Sequence, residues 1–273
     1  MKRFAGLFLL LLILTSFTGD KNDSLFPPVR NISFRTGEEL NYRVNFGIFT
    51  VGHATTRVEP KIFHINSRPC YKVDAFGATS GMVAWVTKVR DQWGAYLDTT
   101  ALVTHVSYRK IREGRYRKDE LITYNHEKRE AEVKVLDEKT NLYGSPKVYK
   151  TPTHVRDMVA GFMYLRVIDF AKYKTGDTLA ISGFFEDTAY EMKIMYQGRE
   201  SVTTKVGKIP CLKLVPVMPD NKVFDGENSI TCWISDDRNK IPVKIQAKMF
   251  IGSTGIELTS FKGLRNQLRI LQP

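Results

Sequence analysis

The sequence lacks most of the features that disclose chemistry. Its three cysteines, Cys70, Cys211 and Cys232, include no CxxC pair, and its five histidines include no HxH or HExxH. No local metal site is therefore expected. There is no phosphate-cradling glycine loop and no dinucleotide fingerprint, so no cofactor is called for. Ser80, in GATSGM, is not set in a GxSxG elbow, and no strand, turn and helix surround it. No apolar run beyond residue 19 reaches the ~20 residues of a membrane-spanning helix. Nor does any Pro-, Gly- or Ser-rich tract divide the chain, which argues for one domain.

What is present begins with an address. Lys2 and Arg3 precede the apolar stretch Leu7 to Leu14, and Ser16, Thr18 and Gly19 follow. A basic start, a short apolar segment and small residues beyond it read as a cleaved secretory signal over residues 1–19. No cysteine stands near those small residues, so a lipoprotein acylation site is not expected. Residues 20–33 read as an N-terminal extension and residues 34–273 as a single β-rich domain. Loss of Lys2 and Arg3 takes the formal charge from +12 to +10. That excess favours anionic partners such as lipid headgroups or acidic glycans. Nucleic acid is not expected, because no recognition motif accompanies the charge. For an exported chain, a Cys211–Cys232 disulfide and three buried thiols both fit the cysteine set.

The clearest pattern lies between Ser229 and Thr259. Ile241, Val243, Ile245, Ala247 and Met249 alternate with Pro242, Lys244, Gln246 and Lys248. This period of two belongs to a strand with one covered face. Ile230, Cys232 and Ile234 continue the apolar row before an Asp236 to Asn239 turn, and Ile256 and Leu258 follow a turn expected at Ser253-Thr254-Gly255. The same alternation recurs in Leu40, Tyr42, Val44 and Phe46, with a bend at Gly47 and a bulge or sharp coil at Gly52. Further strands are expected through Leu102 to Leu136 and from Asp177 to Met218, with breaks at Gly198, Pro219-Asp220-Asn221 and Asp225-Gly226. Met82 to Val89 fits either a short helix or a buried strand. One principal helix is expected, capped by Thr151, opened by Pro152 and carrying Val155, Met158, Val159, Phe162 and Leu165 at helical spacing. The fold class is mainly β, an antiparallel meander curled into an open or closed barrel around one α-helix.

Two residue sets are candidates for function. Sixteen Phe, 12 Tyr and 3 Trp in a curled sheet either fill a core or line an apolar cavity. Phe46, Phe49, Trp85, Trp93 and Trp233 are the candidate lining. Arg109, Lys110, Arg112, Arg115, Arg117 and Lys118 form a basic cluster, either a charged strand edge or an anion-binding rim.

The stretches GEELNYRVNFGIFTVGHA, YRKIREGRYRKDELITYN, DMVAGFMYLR and CWISDDRNKIPVKIQAKMFIGSTGIEL resemble an exported bacterial family, domain of unknown function 3108, from about Phe34 to Leu264. The resemblance implies a periplasmic, mostly β protein of a Gram-negative organism, and it brings no catalytic residues. A looser likeness runs to the curled barrels of periplasmic lipoprotein carriers. Asp23-Ser24-Leu25, Asp98-Thr99-Thr100 and Asp187-Thr188-Ala189 resemble O-glycosylation sequons of exported Bacteroidetes proteins. The expected function is a non-catalytic periplasmic binding or carrier protein for a lipid-like or amphipathic ligand, partnered by a lipid, an anionic membrane surface or an envelope protein. The alternatives are a docking or assembly factor in envelope or exopolysaccharide biogenesis, and a hydrolase whose site is dispersed in sequence.

Overall fold

The computed structural model describes residues 25–217, 229–249 and 252–272. The leader and the turns expected at Pro219-Asp220-Asn221 and Asp225-Gly226 lie outside them. Among the described residues, fifteen strands form one antiparallel sheet. In chain order these are β1 Glu39–Phe46, β2 Phe49–Ile65, β3 Arg68–Thr79, β4 Arg90–Asp98, β5 Thr104–Glu113, β6 Tyr116–Asn125, β7 Glu130–Asp137, β8 Leu142–Tyr143 and β9 Lys147–Lys150. After a helical segment come β10 Thr178–Phe185, β11 Thr188–Thr204, β12 Gly207–Pro216, β13 Ile230–Ser235, β14 Pro242–Lys248 and β15 Ser253–Lys262. Helix α1 spans Val83–Val86 and α2 spans Met158–Leu165.

Neighbouring strands follow the chain except that β9 pairs with β7 and, shaping the molecule, β15 pairs with β1. The two ends of the chain therefore meet in mid-sheet, and the open edges fall in mid-sequence, at β10 and at β7 with its short partners β8 and β9. Open edges invite foreign strands. Here the connection between them covers the gap. Thr151 N–H donates to the Arg129 carbonyl at 2.9 Å, and Thr104 N–H donates to that of Val155 at 3.4 Å. Arg156 bridges β10, its N–H donating to Ser182 O at 3.1 Å and its carbonyl accepting from Phe184 N–H at 3.0 Å. Val155 and Phe184 then pack with Ile122, Tyr124, Ala131 and Val133 across the seam.

This use of Thr151 to Arg156 explains why the helix starts later than its apolar spacing predicts. Those residues run along the seam with a turn at Thr153 and His154, and α2 opens at Met158 under Asp157, whose carboxylate accepts from the Val159 and Ala160 N–H groups at 3.1 Å. Only eight residues long, α2 depends on packing for its stability. Ala160, Met163 and Leu165 are buried between the two inner walls.

The curl is built with bulges. β11 runs through Gly198 as one strand of 17 residues, with a register shift between Tyr196 and Arg199 where Gly198 takes φ +93°. The break expected at Gly198 is thus a bulge, which bends a strand without ending it. Gly52 also sits at a bulge, since the β1–β2 register shifts beside it, and a Cβ there would lie 2.3 Å from the Ala78 carbonyl oxygen. The Asp236 to Asn239 turn forms as expected, with the Asp237 carboxylate collecting the Asn239 and Lys240 N–H groups. Ser253-Thr254-Gly255, expected as a turn, lies inside β15, and the hairpin closes earlier, with Met249 N–H donating to Gly252 O.

All three cysteines are free and buried. The Cys211–Cys232 disulfide does not form. Cys211 lies opposite Ser235 and Cys232 opposite Leu214, so an odd three-residue offset puts the thiols on opposite faces of the sheet.

The far end of α2 is fixed by a buried ion pair. Arg166 donates to both Glu38 carboxylate oxygens, and its Nε donates to the Asn239 carbonyl at 3.0 Å. Both side chains are almost wholly buried, at 3% and 2% exposure. Removing one partner leaves a desolvated charge, so Arg166→Met should cost about 3–5 kcal/mol, and Arg166→Met with Glu38→Leu should recover most of it. Urea denaturation of the two variants measures this. A double variant as unstable as the single one would show that the pair is not the cause.

Candidate ligand cavity

The inner face of the curl does not close fully on α2. Leu40 and Tyr42 from β1, Ala54 and Thr56 from β2, Val73 and Ala75 from β3, and Trp93 from β4 face Met158, Val159, Phe162 and Met163 of the helix. Ile245 and Ile256 complete the wall. Between them lies an apolar cavity of about 290 Å³. Its origin is legible in side-chain size, because Ala54 and Ala75 stand where larger residues would meet the helix. A second pocket of about 60 Å³ lies on the other flank of α2, among Gly161, Leu165, Ile181, Ile194, Leu214 and Cys232. Met158, Phe162 and Ile245 line both. Met158 and Phe162 are one helical turn apart and form the partition. Phe162 remains 39% exposed in a position facing the molecular interior.

The polar groups on this wall are few. Arg166 is occupied by Glu38. Burial raises the Tyr42 phenol well above its ordinary range, so it stays a neutral hydroxyl. Such a site accepts apolar matter and offers little to a charged solute.

Of the five aromatic residues expected to line a cavity, only Trp93 does so. It stacks on Phe185 at 5.8 Å between centroids, with the Arg109 guanidinium 5.3 Å and 4.9 Å from the two rings. Phe46, Phe49 and Trp85 are instead exposed at one end of the sheet. Trp233 lies on the outer face, its indole N–H donating to Glu200 and the amines of Lys213 and Lys244 near its ring. Met158, Val159 and Phe162 are lining residues that alternation alone did not single out.

The basic cluster divides in the same way. Arg109 is buried and paired with Glu120 and Glu186, and Lys118 reaches the same carboxylates at 2.8 Å and 3.6 Å. Hydrogen bonding to Arg109 holds the Glu186 carboxyl below its usual range. Arg112 is paired with Asp119. These three residues hold β5, β6 and the β10–β11 turn together and are not an anion-binding rim. Lys110, Arg115 and Arg117 are exposed.

A polar recess at the opposite end brings together two histidines that the sequence scatters. Phe26 packs on His105 and His126 at 5.5 Å and 5.4 Å, and Arg68 lies 3.9 Å above Phe26. His105 Nε2 is 3.4 Å from Asp98, and His126 Nε2 is 2.9 Å from the Thr104 carbonyl. Burial lowers the His126 pKa to about 4. Among the described residues, no group of three or more His, Cys, Asp and Glu side chains is placed to hold a metal ion.

An antiparallel sheet curled but not closed around helix α2, with an apolar cavity between them, defines a barrel-like protein. The chain belongs to the family described as protein of unknown function DUF3108, which matches residues 41–259. A β-barrel-like protein of domain of unknown function DUF1849 from Brucella abortus has a similar fold, at 11% identity and a TM-score of 0.54, over 84% of this chain and 99% of that one. More distant are a hypothetical protein from Chlamydia trachomatis, at 10% identity and a TM-score of 0.38 over 89% and 94% of the two chains, and a Bacteroides fragilis protein with a YmcC-like fold, at 10% and 0.34 over 86% and 99%. A search of curated proteins returns no match.

Asp157 gives the site a pH signature. Burial raises its pKa to about 6, against about 4 in an unfolded chain. Between those values the folded chain holds a proton that the unfolded chain releases, so stability falls as pH rises through the window. Asp157→Asn should flatten that slope, removing a change on the order of 2 kcal/mol between pH 4 and pH 6. Urea midpoints across the range test it, and an unchanged slope would assign the titration to another group.

Proposed function

We propose that this protein is a non-catalytic binding or carrier protein for a lipid-like ligand, exported by its N-terminal leader to work in the periplasm. The observation that carries the reading is the apolar cavity of about 290 Å³ between α2 and the inner wall of the sheet. Its size is near the lower bound of small-molecule sites, roughly 300 Å³. It suits a single acyl chain better than a whole lipid, so the headgroup of an amphipathic ligand would stay outside. An apolar void of this kind is poorly hydrated and gains from an apolar occupant. The fold likeness to the Brucella protein supports the architecture of such a site and not its ligand.

Native mass spectrometry of protein isolated gently from its own envelope extract should show a releasable lipid mass. Delipidated protein should take up a fluorescent fatty acid, and Ala75→Phe, which projects a ring into the cavity, should weaken uptake about tenfold or more. A protein that takes up no acyl probe, or an Ala75→Phe variant that folds and binds unchanged, would overturn the carrier reading.

A further inference from the structure

One end of the sheet carries apolar side chains that no other described residue covers. Ile48, at the β1–β2 turn, is 92% exposed, and Trp85, on α1, is 93% exposed. Met82 and Val86 beside Trp85, and Phe49 beside Ile48, are likewise turned to solvent. These residues belong to one surface. Ser80 N–H donates to the Val51 carbonyl at 3.0 Å, which holds the start of the α1 loop against β2 just past Phe49. Gly47 N–H donates to Ser253 O at 2.8 Å, which places the β14–β15 hairpin at the same end.

A basic tip adjoins this apolar rim. Val89 bridges Glu113, and Gly114 N–H donates to the Lys88 carbonyl at 2.9 Å, so the β5–β6 turn is tied to the α1 loop. Lys88, Arg90, Arg115 and Arg117 are exposed there. Glu113 and Asp91 stand among them, and partial burial together with the neighbouring Asp91 carboxylate holds the Glu113 carboxyl above its usual range. Asp91 also accepts the Arg112 N–H at 2.9 Å. The surface left to a partner is therefore apolar at its centre and cationic on one side.

Exposure on the inner face rises toward the same end. Along β1 the inward row runs from Leu40 at 1% exposure and Tyr42 at 2% to Phe46 at 42%. A protein partner would need a complementary apolar patch ringed by acids. A bilayer offers both at once, with hydrocarbon beneath anionic headgroups, and exposed Trp, Phe, Ile and Met flanked by Lys and Arg are the chemistry of interfacial insertion.

We infer that the end formed by Ile48, Phe49, Met82, Trp85 and Val86, with Arg115 and Arg117 beside it, docks on an anionic lipid bilayer by inserting its apolar rim among the acyl chains. The docking stands on the rim alone and does not require the cavity to hold a ligand.

The test is flotation of the mature, full-length protein with vesicles of phosphatidylcholine alone and of phosphatidylcholine mixed with phosphatidylglycerol, with tryptophan emission followed in parallel. Binding to the mixed vesicles with a blue-shifted emission is expected, weakening as salt is added. Arg115→Gln with Arg117→Gln should reduce that binding about tenfold or more. Ile48→Ser with Trp85→Ser should abolish insertion with an unchanged melting temperature, because neither side chain is packed. No flotation with either vesicle would overturn the inference, as would binding that survives the Ile48 and Trp85 substitutions. A concentration-dependent dimer dissolved by those same substitutions would overturn it too, because a second copy would then cover the rim. Ala75→Phe separates this result from the carrier reading: it should float as the wild type does while failing to take up an acyl probe.

Discussion

The Arg166–Glu38 pair is the contact on which the geometry of the interior depends. Arg166 ends the helical turn that α2 begins, Glu38 stands just before β1, and the Asn239 carbonyl that completes the guanidinium's bonding belongs to the β13–β14 turn. One side chain thus ties the central helix to two parts of the sheet far apart in sequence. At the other end of the helix, Arg156 is held by the carbonyls of Ala101, Leu102 and His154 and lies 3.6 Å from the centre of the Tyr164 ring. Burial without a carboxylate lowers its pKa to about 10, which still leaves it charged at neutral pH. Each charge is tolerable only where its partners are in place, so the helix has one depth and one orientation within the curl.

A helix pinned at both ends can be loosely packed in its middle. Protein interiors normally fill to crystal-like density, and a cavity costs the dispersion contacts its walls do not make. Here the sheet wall facing Phe162 is small, being Ala54 and Ala75. Collapse onto them would require α2 to shift toward the sheet, which would break the Arg166 bonds or the Asp157 cap. The polar anchors therefore hold the apolar space open.

Much of the fold is legible in the sequence because a half-buried strand writes its own period. Ile241, Val243 and Ala247 alternate as read, and so do Leu40 and Tyr42. What is not legible is what lies at long range. The pairing of β1 with β15 leaves no local mark, and neither does the use of Thr151 to Arg156 as a seam, whose apolar and capping residues look like a helix start until β10 is placed beside them. Alternation also says which face a residue is on and not how far along the curl it stands. Phe46 belongs to the inward row of Tyr42, yet it emerges at the rim because the hairpin turns at Gly47. The partners of the basic cluster are illegible for the same reason: Glu186 lies 77 residues from Arg109 in sequence, and only the fold brings them into contact.

The net positive charge is consequently not spread evenly. Arg109, Arg112, Lys118 and Arg166 are spent on internal carboxylates. The exposed bases of the β5–β6 tip stand at the end where the inward rows become solvent-accessible, whereas the recess at the opposite end is polar and roofed by Phe26, His105 and His126. The two ends of the sheet thus differ in chemistry, according to where the chain pairs its charges and where its described residues leave large apolar side chains uncovered.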